Sequence, residues 1–260
     1  MQIGLNLFSV RNDVQTEETF METAKKIKEM GYDTLQLSGC PYNPALARRE
    51  VEEIGLPISL THVPFDDLEN NVDRMVEEHL SFGCKNIGIG GYDWELFLSD
   101  EKMKALVARL EVVGQKIADK GLKFYYHNHT HEFIKMQDGK PFYYYLIENA
   151  PHVNLTLDTR WVSAVGYSLE EVLNKAQGRL ECVHLRDFTV RPKRNEQNAV
   201  EFYLDDCAVG SGNIRFDQCI PQMQKLGTEH FIVEDTAFRR ANTWEEIEKS
   251  LRYLKENFGD

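Results

Sequence analysis

The segment Cys182-Val-His-Leu-Arg-Asp187 is a short apolar run that contains an imidazole and ends in a guanidinium and a carboxylate. Three further segments also place acid or imidazole side chains where an apolar run stops: Tyr126-His-Asn-His-Thr-His-Glu-Phe133, Leu155-Thr-Leu-Asp-Thr159 and Phe231-Ile-Val-Glu-Asp235. Apolar runs without alternation are typical of strands that are buried on both faces of a parallel sheet. We therefore expect these polar residues to lie at the ends of buried strands.

Strand-like runs recur along the whole chain and alternate with helix-like stretches. The strand candidates are Ile3–Leu7, Thr34–Leu37, Ile58–Val63, Asn86–Gly90, Lys123–His127, Asn154–Asp158, Glu181–Leu185 and His230–Glu234. The helix candidates are Glu17–Glu29, Asn43–Glu53, Asp67–Leu80, Ser99–Ala118, Pro141–Glu148, Leu169–Ala176, Phe216–Leu226 and Trp244–Phe258. This order predicts an α/β fold, a (β/α)8 TIM barrel formed by a single domain over residues 1–260.

The rival architecture is an open doubly wound sheet, which often carries a Gly-rich phosphate loop after its first strand. The first strand here leads into Phe8-Ser-Val-Arg-Asn-Asp13, which contains no glycine. The sequence therefore favours the barrel. One connection, Thr189–Ser211, is longer than the usual loop. Because long loops on barrels are commonly functional lids, we predict a lid in this segment.

The composition narrows the class of protein. The chain has 260 residues and a net charge of -12, with 42% hydrophobic and 28% charged residues. This negative charge argues against nucleic-acid and membrane partners, which need clustered Lys and Arg. The cysteines are scattered, the N-terminus lacks a signal-peptide pattern, and no apolar stretch is long enough for a membrane span. These features predict a cytoplasmic protein with reduced thiols.

Four strand-end residues point to a metal site. In an α/β barrel the chemistry lies at the C-terminal ends of the strands, and Glu132, Asp158, His184 and Glu234 stand at or just past the last four strand candidates. Each alone is more simply a helix cap, a solvated loop residue or a core histidine. Together they form a set of three carboxylates and one imidazole, which suits Mn²⁺ best, with Co²⁺, Mg²⁺ or Zn²⁺ as alternatives.

An ordered set of motifs carries a family resemblance. The motifs are Gly4-Leu-Asn-Leu-Phe-Ser-Val-Arg-Asn12, Tyr126-His-Asn-His129, Leu157-Asp-Thr-Arg-Trp161, His184-Leu-Arg-Asp187, Gly210-Ser-Gly-Asn-Ile214 and Val233-Glu-Asp235. Over essentially its whole length the chain resembles the xylose isomerase-like superfamily of sugar phosphate isomerases and epimerases. That superfamily also holds keto-sugar 3-epimerases, inosose dehydratases and the AP endonuclease family 2 proteins.

The resemblance implies which residues bind the metal. Asp158, His184 and Glu234 match the metal-ligand positions of the superfamily, but the fifth strand departs from its pattern. The keto-sugar epimerases end that strand with a metal-binding Glu, whereas here His127 occupies the strand end and Glu132 comes five residues later. Either Glu132 bends back to the ion or His127 replaces the carboxylate. We favour Glu132, because proton transfer needs a pair of carboxylates.

The function that the resemblance implies is isomerisation or epimerisation of a sugar or a sugar-like keto or aldo compound. The reaction removes a proton next to the carbonyl and passes through an enediolate, which a divalent ion stabilises as a Lewis acid. Glu234 and Glu132 are the expected proton-transfer pair, with His127 as a further catalytic residue. We expect the substrate to contact His62, His129, Arg160, Trp161 and Arg186.

Three other functions compete with this prediction. A metal-dependent lyase, of the inosose or dehydroshikimate dehydratase type, uses the same enolate and then expels a hydroxyl group, so the metal ligands do not separate the two. An endonuclease IV-like enzyme needs more His ligands and a basic DNA-binding face. A non-catalytic relative would not need intact metal positions. The expected partner is a small sugar-like molecule, and the expected assembly is a homodimer or a homotetramer.

Overall fold

The structure, a computed structural model, describes residues 1–235 and 242–259. Eight parallel strands close on themselves as a barrel, and two further strands form a separate antiparallel pair. The strands are β1 Gln2–Asn6, β2 Thr34–Leu37, β3 Ile58–His62, β4 Asn86–Ile89, β5 Lys123–His127, β6 Val153–Asp158, β7 Cys182–Leu185, β8 Asp187–Arg194, β9 Val200–Cys207 and β10 His230–Val233. All eight predicted strands are present, and the predicted TIM barrel is confirmed.

Hydrogen bonds between β1 and β10 close the barrel, with Gln2 opposite His230 and Leu5 opposite Val233. The strands are buried on both faces, as their unbroken apolar runs indicate. A small apolar cluster lies apart from the main core, with one residue from each of β3, β5, β7 and β10: Leu60, Tyr125, Cys182 and Ile232. The much larger core contains apolar residues of both the strands and the helices.

Ten helices connect the strands in the described part of the chain, and three short 3-10 segments accompany them. The helices are α1 Glu17–Met30, α2 Pro44–Glu53, α3 Phe65–Asn70, α4 Val72–Ser81, α5 Asp100–Ala118, α6 Phe142–Asn149, α7 Thr159–Ala164, α8 Leu169–Lys175, α9 Phe216–Lys225 and α10 Thr243–Phe258. The 3-10 segments are Leu7–Asp13, Trp94–Leu98 and His131–Phe133. Side-chain caps begin several helices: Ser99 accepts from the backbone N–H of Lys102 at the start of α5.

The helix predicted over Asp67–Leu80 is two helices, because Asn71 interrupts it. Its backbone is not helical, with φ -136° and ψ 40°. The side-chain amide of Asn71 donates to the carbonyl and to the carboxylate of Asp67, one turn earlier. Asn residues compete with helical backbone bonds in this way. The short helix α7, which begins directly after β6, was not predicted.

The segment Thr189–Ser211, predicted as a lid loop, is largely an antiparallel hairpin of β8 and β9. The carboxylate of Asp187 fixes the return of the chain from this hairpin. It accepts hydrogen bonds from the backbone N–H groups of Phe188, Gly210, Gly212 and Ile214, at 2.8 to 3.2 Å. Asp187 therefore ties the start of β8 to the Gly-Ser-Gly turn that precedes α9.

Glu50 on the buried face of α2 is fully buried. Burial raises the pKa of this carboxyl to about 8, from its ordinary value of 4.5. In the unfolded chain the pKa returns to about 4.3, so between these values only the folded state keeps the proton. Stability must therefore fall as the pH rises through this window.

We predict that Glu50→Gln removes this loss of stability at high pH, because the amide has no charge to bury. The variant should match the wild type near pH 5 and exceed it in free energy of unfolding at pH 8.5 by up to about 4 kcal/mol, because stability falls by about 1.4 kcal/mol for each of the roughly three pH units between pH 5 and the folded-state pKa. Urea unfolding at the two pH values measures the difference. Glu53→Gln, at an exposed position of the same helix, is the matched control and should show little pH-dependent gain. Equal gains in both variants would contradict the prediction.

Candidate metal and substrate site

Three predicted ligands lie together at the C-terminal rim of the barrel. Asp158 ends β6, His184 lies in β7 and Glu234 directly follows β10. One ligand atom of each lies within 4.8 Å of the others, and all three side chains are buried. Nδ1 of His184 lies 3.1 Å from Oε2 of Glu234. The parallel register explains this meeting, because Asp158 pairs with His184 and Ile232 also pairs with His184 across neighbouring strands.

Hydrogen bonds orient two of these side chains. The Asn6 amide donates to Oε2 of Glu234 at 2.7 Å, and Arg186 donates to Oε1 at 3.1 Å. Oε1 of Gln36 lies 2.6 Å from Nε2 of His184 and accepts a hydrogen bond from its N–H group. In a neutral imidazole this leaves the Nδ1 lone pair facing the Glu234 carboxylate. Two lone pairs at 3.1 Å repel each other, and a bound cation, or a proton, relieves that repulsion.

Asp158 supplies a second reason for a cation. Its Oδ1 accepts from the backbone N–H of Trp161 and so begins α7, while Oδ2 is buried with no hydrogen-bond partner among the described residues. Burial raises the pKa of Asp158 to about 7, because Arg186 and His184 only partly offset the loss of water and the nearby Glu234. Burial also opposes ionisation of Glu234, but the contacts with His184 and Arg186 lower its pKa. The residues present therefore fit a divalent cation, with carboxylate and imidazole ligands aimed at one point.

Two further imidazoles adjoin this group. The ring of His127 lies edge-on to His184, with centroids 4.5 Å apart, and His62 lies 5.7 Å from His184. Both ring nitrogens of His127 are buried without a hydrogen-bond partner among the described residues. Burial lowers the pKa of His62 to about 3 and that of His127 well below its ordinary value. Both rings are therefore neutral, the form in which an imidazole binds a metal or accepts a proton.

Glu132 lies in a different group from Asp158, His184 and Glu234. Its Oε1 accepts from the Tyr126 hydroxyl at 2.7 Å, and its Oε2 accepts from the backbone N–H of His129 at 2.6 Å. Nε2 of His131 lies 3.1 Å from Oε1. The structure thus brings Glu132 together with His129 and His131. At the end of β5, His127 is the side chain placed near His184.

The predicted substrate residues Arg160, Trp161 and Arg186 form one stack. The guanidinium carbons of Arg160 and Arg186 lie 4.1 and 4.7 Å from the centre of the Trp161 ring. Asp206, near the end of β9, accepts from both arginines, at 2.7 Å in the case of Arg186. The predicted lid segment therefore reaches the site through Asp206, which sequence reasoning missed because the hairpin was not recognised.

Other residues of the site were also missed. Asn6 and Gln36 stand near the ends of β1 and β2 and hold Glu234 and His184. Both are polar residues near the ends of otherwise apolar, buried strands, and this pattern could have identified them. A cavity of about 410 Å³ opens beside the site. Its lining includes His62, His127, His129 and Glu234, together with the apolar side chains of Phe8, Tyr42, Val63 and Pro64.

The closed parallel barrel, with acid and imidazole side chains gathered at its C-terminal rim, defines the TIM-barrel class of enzyme fold. A model of the family described as xylose isomerase-like TIM barrel matches residues 12–257. The chain belongs to this family, as the motifs predict. Among the described residues, no helix combines the length and the apolar character that crossing a bilayer requires.

Comparison with named proteins finds relatives of the dehydratase kind. An inosose dehydratase of Clostridium beijerinckii is 27% identical over 63% of this chain, and the match spans only 57% of that protein. An inosose dehydratase of Clostridium botulinum is 22% identical over 94% of this chain and 91% of that protein.

Solved structures share the fold. A sugar phosphate isomerase/epimerase of Parabacteroides distasonis has a TM-score of 0.78 at 17% identity, over 98% of this chain and 93% of that one. A xylose isomerase-like TIM barrel protein of Mycobacterium smegmatis, in complex with magnesium, has a TM-score of 0.72 at 13% identity, over 99% and 96%. These two structures therefore share the fold of this chain.

We predict that Asp206→Asn destabilises the fold. Removing the carboxylate leaves two largely buried guanidinium groups without this partner, at a cost of about 2–4 kcal/mol in free energy of unfolding. Urea unfolding at neutral pH measures the loss. Glu201→Gln, at an exposed position of the same strand, is the control and should change stability by less than about 0.5 kcal/mol. If Asp206→Asn loses no more stability than the control, the hydrogen bonds of Asp206 to Arg160 and Arg186 do not stabilise the fold.

Proposed function

We propose that this protein is a divalent-metal-dependent isomerase or epimerase that acts on a sugar or a sugar-like keto or aldo compound. The observation that carries the proposal is the buried group of Asp158, His184 and Glu234 beside a cavity, in which Oδ2 of Asp158 and Nδ1 of His184 have no hydrogen-bond partner among the described residues. We also propose that residues 1–260 act as one catalytic domain.

The proposed ligands are Asp158, His184 and Glu234, with His127 as the fourth. This choice replaces Glu132, whose carboxylate lies with His129 and His131 and not with Asp158, His184 and Glu234, whereas the ring of His127 adjoins His184 and both of its nitrogens have no partner among the described residues. Mn²⁺ or Mg²⁺ suits a site of this type, since carboxylates dominate its charge. The magnesium complex of the Mycobacterium smegmatis protein supports an ion of this class.

When bound, the ion would act as a Lewis acid that makes the C–H group beside a substrate carbonyl more acidic. The chain itself supplies the proton transfer. Glu234 lines the cavity as a carboxylate, held by Asn6 and Arg186 so that its oxygens keep one orientation. His129 lines the same cavity as a neutral imidazole, because burial lowers its pKa. Glu234 removes the proton and becomes the carboxylic acid, and in an isomerisation it returns that proton to the neighbouring carbon. In an epimerisation His129 takes up a proton from solvent and delivers it to the opposite face of the carbon, while Glu234 releases its own proton to solvent.

Substrate recognition falls to the remaining lining residues. His62 donates or accepts hydrogen bonds to hydroxyl groups from the end of β3. Phe8 and Tyr42 offer apolar faces on which the C–H face of a sugar ring can pack. The apolar walls also exclude water from the intermediate, and this protects it from side reactions.

A dehydratase is the second candidate, and a specific observation favours it. The curated relatives from both Clostridium species are named inosose dehydratase. Dehydration begins with the same proton removal and then needs an acid for the departing hydroxyl group. The proton that Glu234 removes can leave with that hydroxyl group as water, and His62 and His129, which both line the cavity, can donate hydrogen bonds to it. The two reactions therefore differ only in the fate of the enediolate.

The experiment is incubation of the Mn²⁺-loaded protein with candidate keto sugars and inososes in D₂O, with the products analysed by NMR. We expect deuterium to enter beside the carbonyl without loss of water. An unsaturated product would establish the dehydratase instead. If no substrate exchanges deuterium and none loses water, the proposal of enolate chemistry is wrong.

Substitutions test the assigned roles. Glu234→Gln should lower the exchange rate by about 10²–10⁴-fold, the usual contribution of a general acid or base, and His129→Asn should do the same. His152→Asn is the matched control, since His152 pairs with Glu111 away from the cavity, and it should keep the wild-type rate. Unchanged exchange in Glu234→Gln would contradict the assignment.

A further inference from the structure

A second group of metal-ligand side chains lies on the segment after β5. It consists of His129, His131 and Glu132, and one ligand atom of each lies within 4.8 Å of the others. None of the three belongs to the group of Asp158, His184 and Glu234. The proposed reaction uses the ring of His129, and an ion bound at Nδ1 would leave the Nε2 N–H group of that ring for the reaction. His131 and Glu132 have no role in it.

One ring nitrogen of each histidine in this group is not satisfied by an ordinary hydrogen bond. Nδ1 of His129 and Nε2 of His131 are buried with no hydrogen-bond partner among the described residues. Nε2 of His131 does lie 3.1 Å from the Glu132 carboxylate, but it makes no well-formed hydrogen bond there. Atoms bound to one ion at about 2.1 Å lie within about 4.2 Å of one another. The observed spacing of up to 4.8 Å therefore needs only small side-chain rotations.

The surroundings hold the three side chains in place. The Tyr126 hydroxyl and the backbone N–H of His129 fix both oxygens of Glu132, in the manner of the outer shell of a metal site. His131 packs edge-on against Phe97, with ring centroids 4.5 Å apart. Such packing reduces the entropy that the side chain would lose on binding an ion.

The charge state of the group also suits a cation. Glu132 is fully buried, yet its pKa is lowered: burial opposes ionisation, and the contacts with His131, His129 and Tyr126 outweigh it. A divalent ion bound to this buried carboxylate would offset the cost of its desolvation.

We infer that His129, His131 and Glu132 form a second divalent-cation site at the rim of the barrel. Two imidazoles and one carboxylate are the ligand set that Zn²⁺ takes in sites with an open position, so Zn²⁺ is the expected ion. His129 also lines the cavity. An ion held there would lie beside the cavity and have coordination positions free for an oxygen atom of a bound molecule.

The test is the number of zinc ions bound per chain, after removal of metal with a chelator and dialysis against micromolar Zn²⁺. Counting by plasma mass spectrometry should give two ions for the wild type and one for His131→Ala. Asp158→Asn should also retain one ion, and the double variant none. Glu132→Gln is a second variant of the same site and should likewise lose one ion. Circular dichroism of the metal-free proteins checks that each variant folds.

The control is His230→Ala. His230 lies with Glu181 and Glu229 in another group of ligand side chains, at the opposite end of the barrel, and this variant should keep two ions. A His131→Ala protein that binds as many ions as the wild type would overturn the inference, as would loss of the second ion in His230→Ala. Failure of the Asp158 site alone gives a different pattern: one ion in the wild type, none in His131→Ala and one in Asp158→Asn.

Discussion

The buried carboxylate of Glu234 is the feature on which the site depends. A carboxylate without water must be held by donors or by a cation, because its desolvation is costly. Asn6 from β1 and Arg186 after β7 each donate to one of its oxygens, and His184 lies 3.1 Å away. These residues come from distant parts of the sequence, so the barrel must close before the carboxylate has its partners. The pairing of the neighbouring strands β6 and β7 brings Asp158 to His184.

Arg186 extends this arrangement to the hairpin of β8 and β9. Its guanidinium bridges Glu234 and Asp206 and lies over the ring of Trp161. The next residue, Asp187, binds four backbone N–H groups and fixes the turn after the hairpin. The adjacent residues Arg186 and Asp187 thus connect the proposed catalytic carboxylate at the rim of the barrel to the hairpin of β8 and β9. A substitution in the hairpin that moves Asp206 is therefore expected to alter the position of the Glu234 carboxylate.

The sequence was sufficient for the barrel because buried parallel strands appear as unbroken apolar runs. It was not sufficient for β8 and β9, where exposed residues such as Phe202 and Lys193 carry no burial pattern. For the site, strand ends located Asp158, His184 and Glu234, since their place is set by register alone. The position of Glu132 depends on a 3-10 turn and a hydrogen bond from Tyr126, and no periodicity reveals those. Asp206 required knowledge of how the hairpin lies on the rim.

The most direct test of the account is anomalous diffraction from crystals grown with Mn²⁺. We predict a manganese peak bounded by Asp158, His184 and Glu234, with His127 closer to it than Glu132. A manganese peak that Glu132 shares with those three residues would restore the ligand set predicted from the sequence. No peak within bonding distance of Asp158, His184 and Glu234, in crystals where manganese is bound elsewhere, would contradict the central claim.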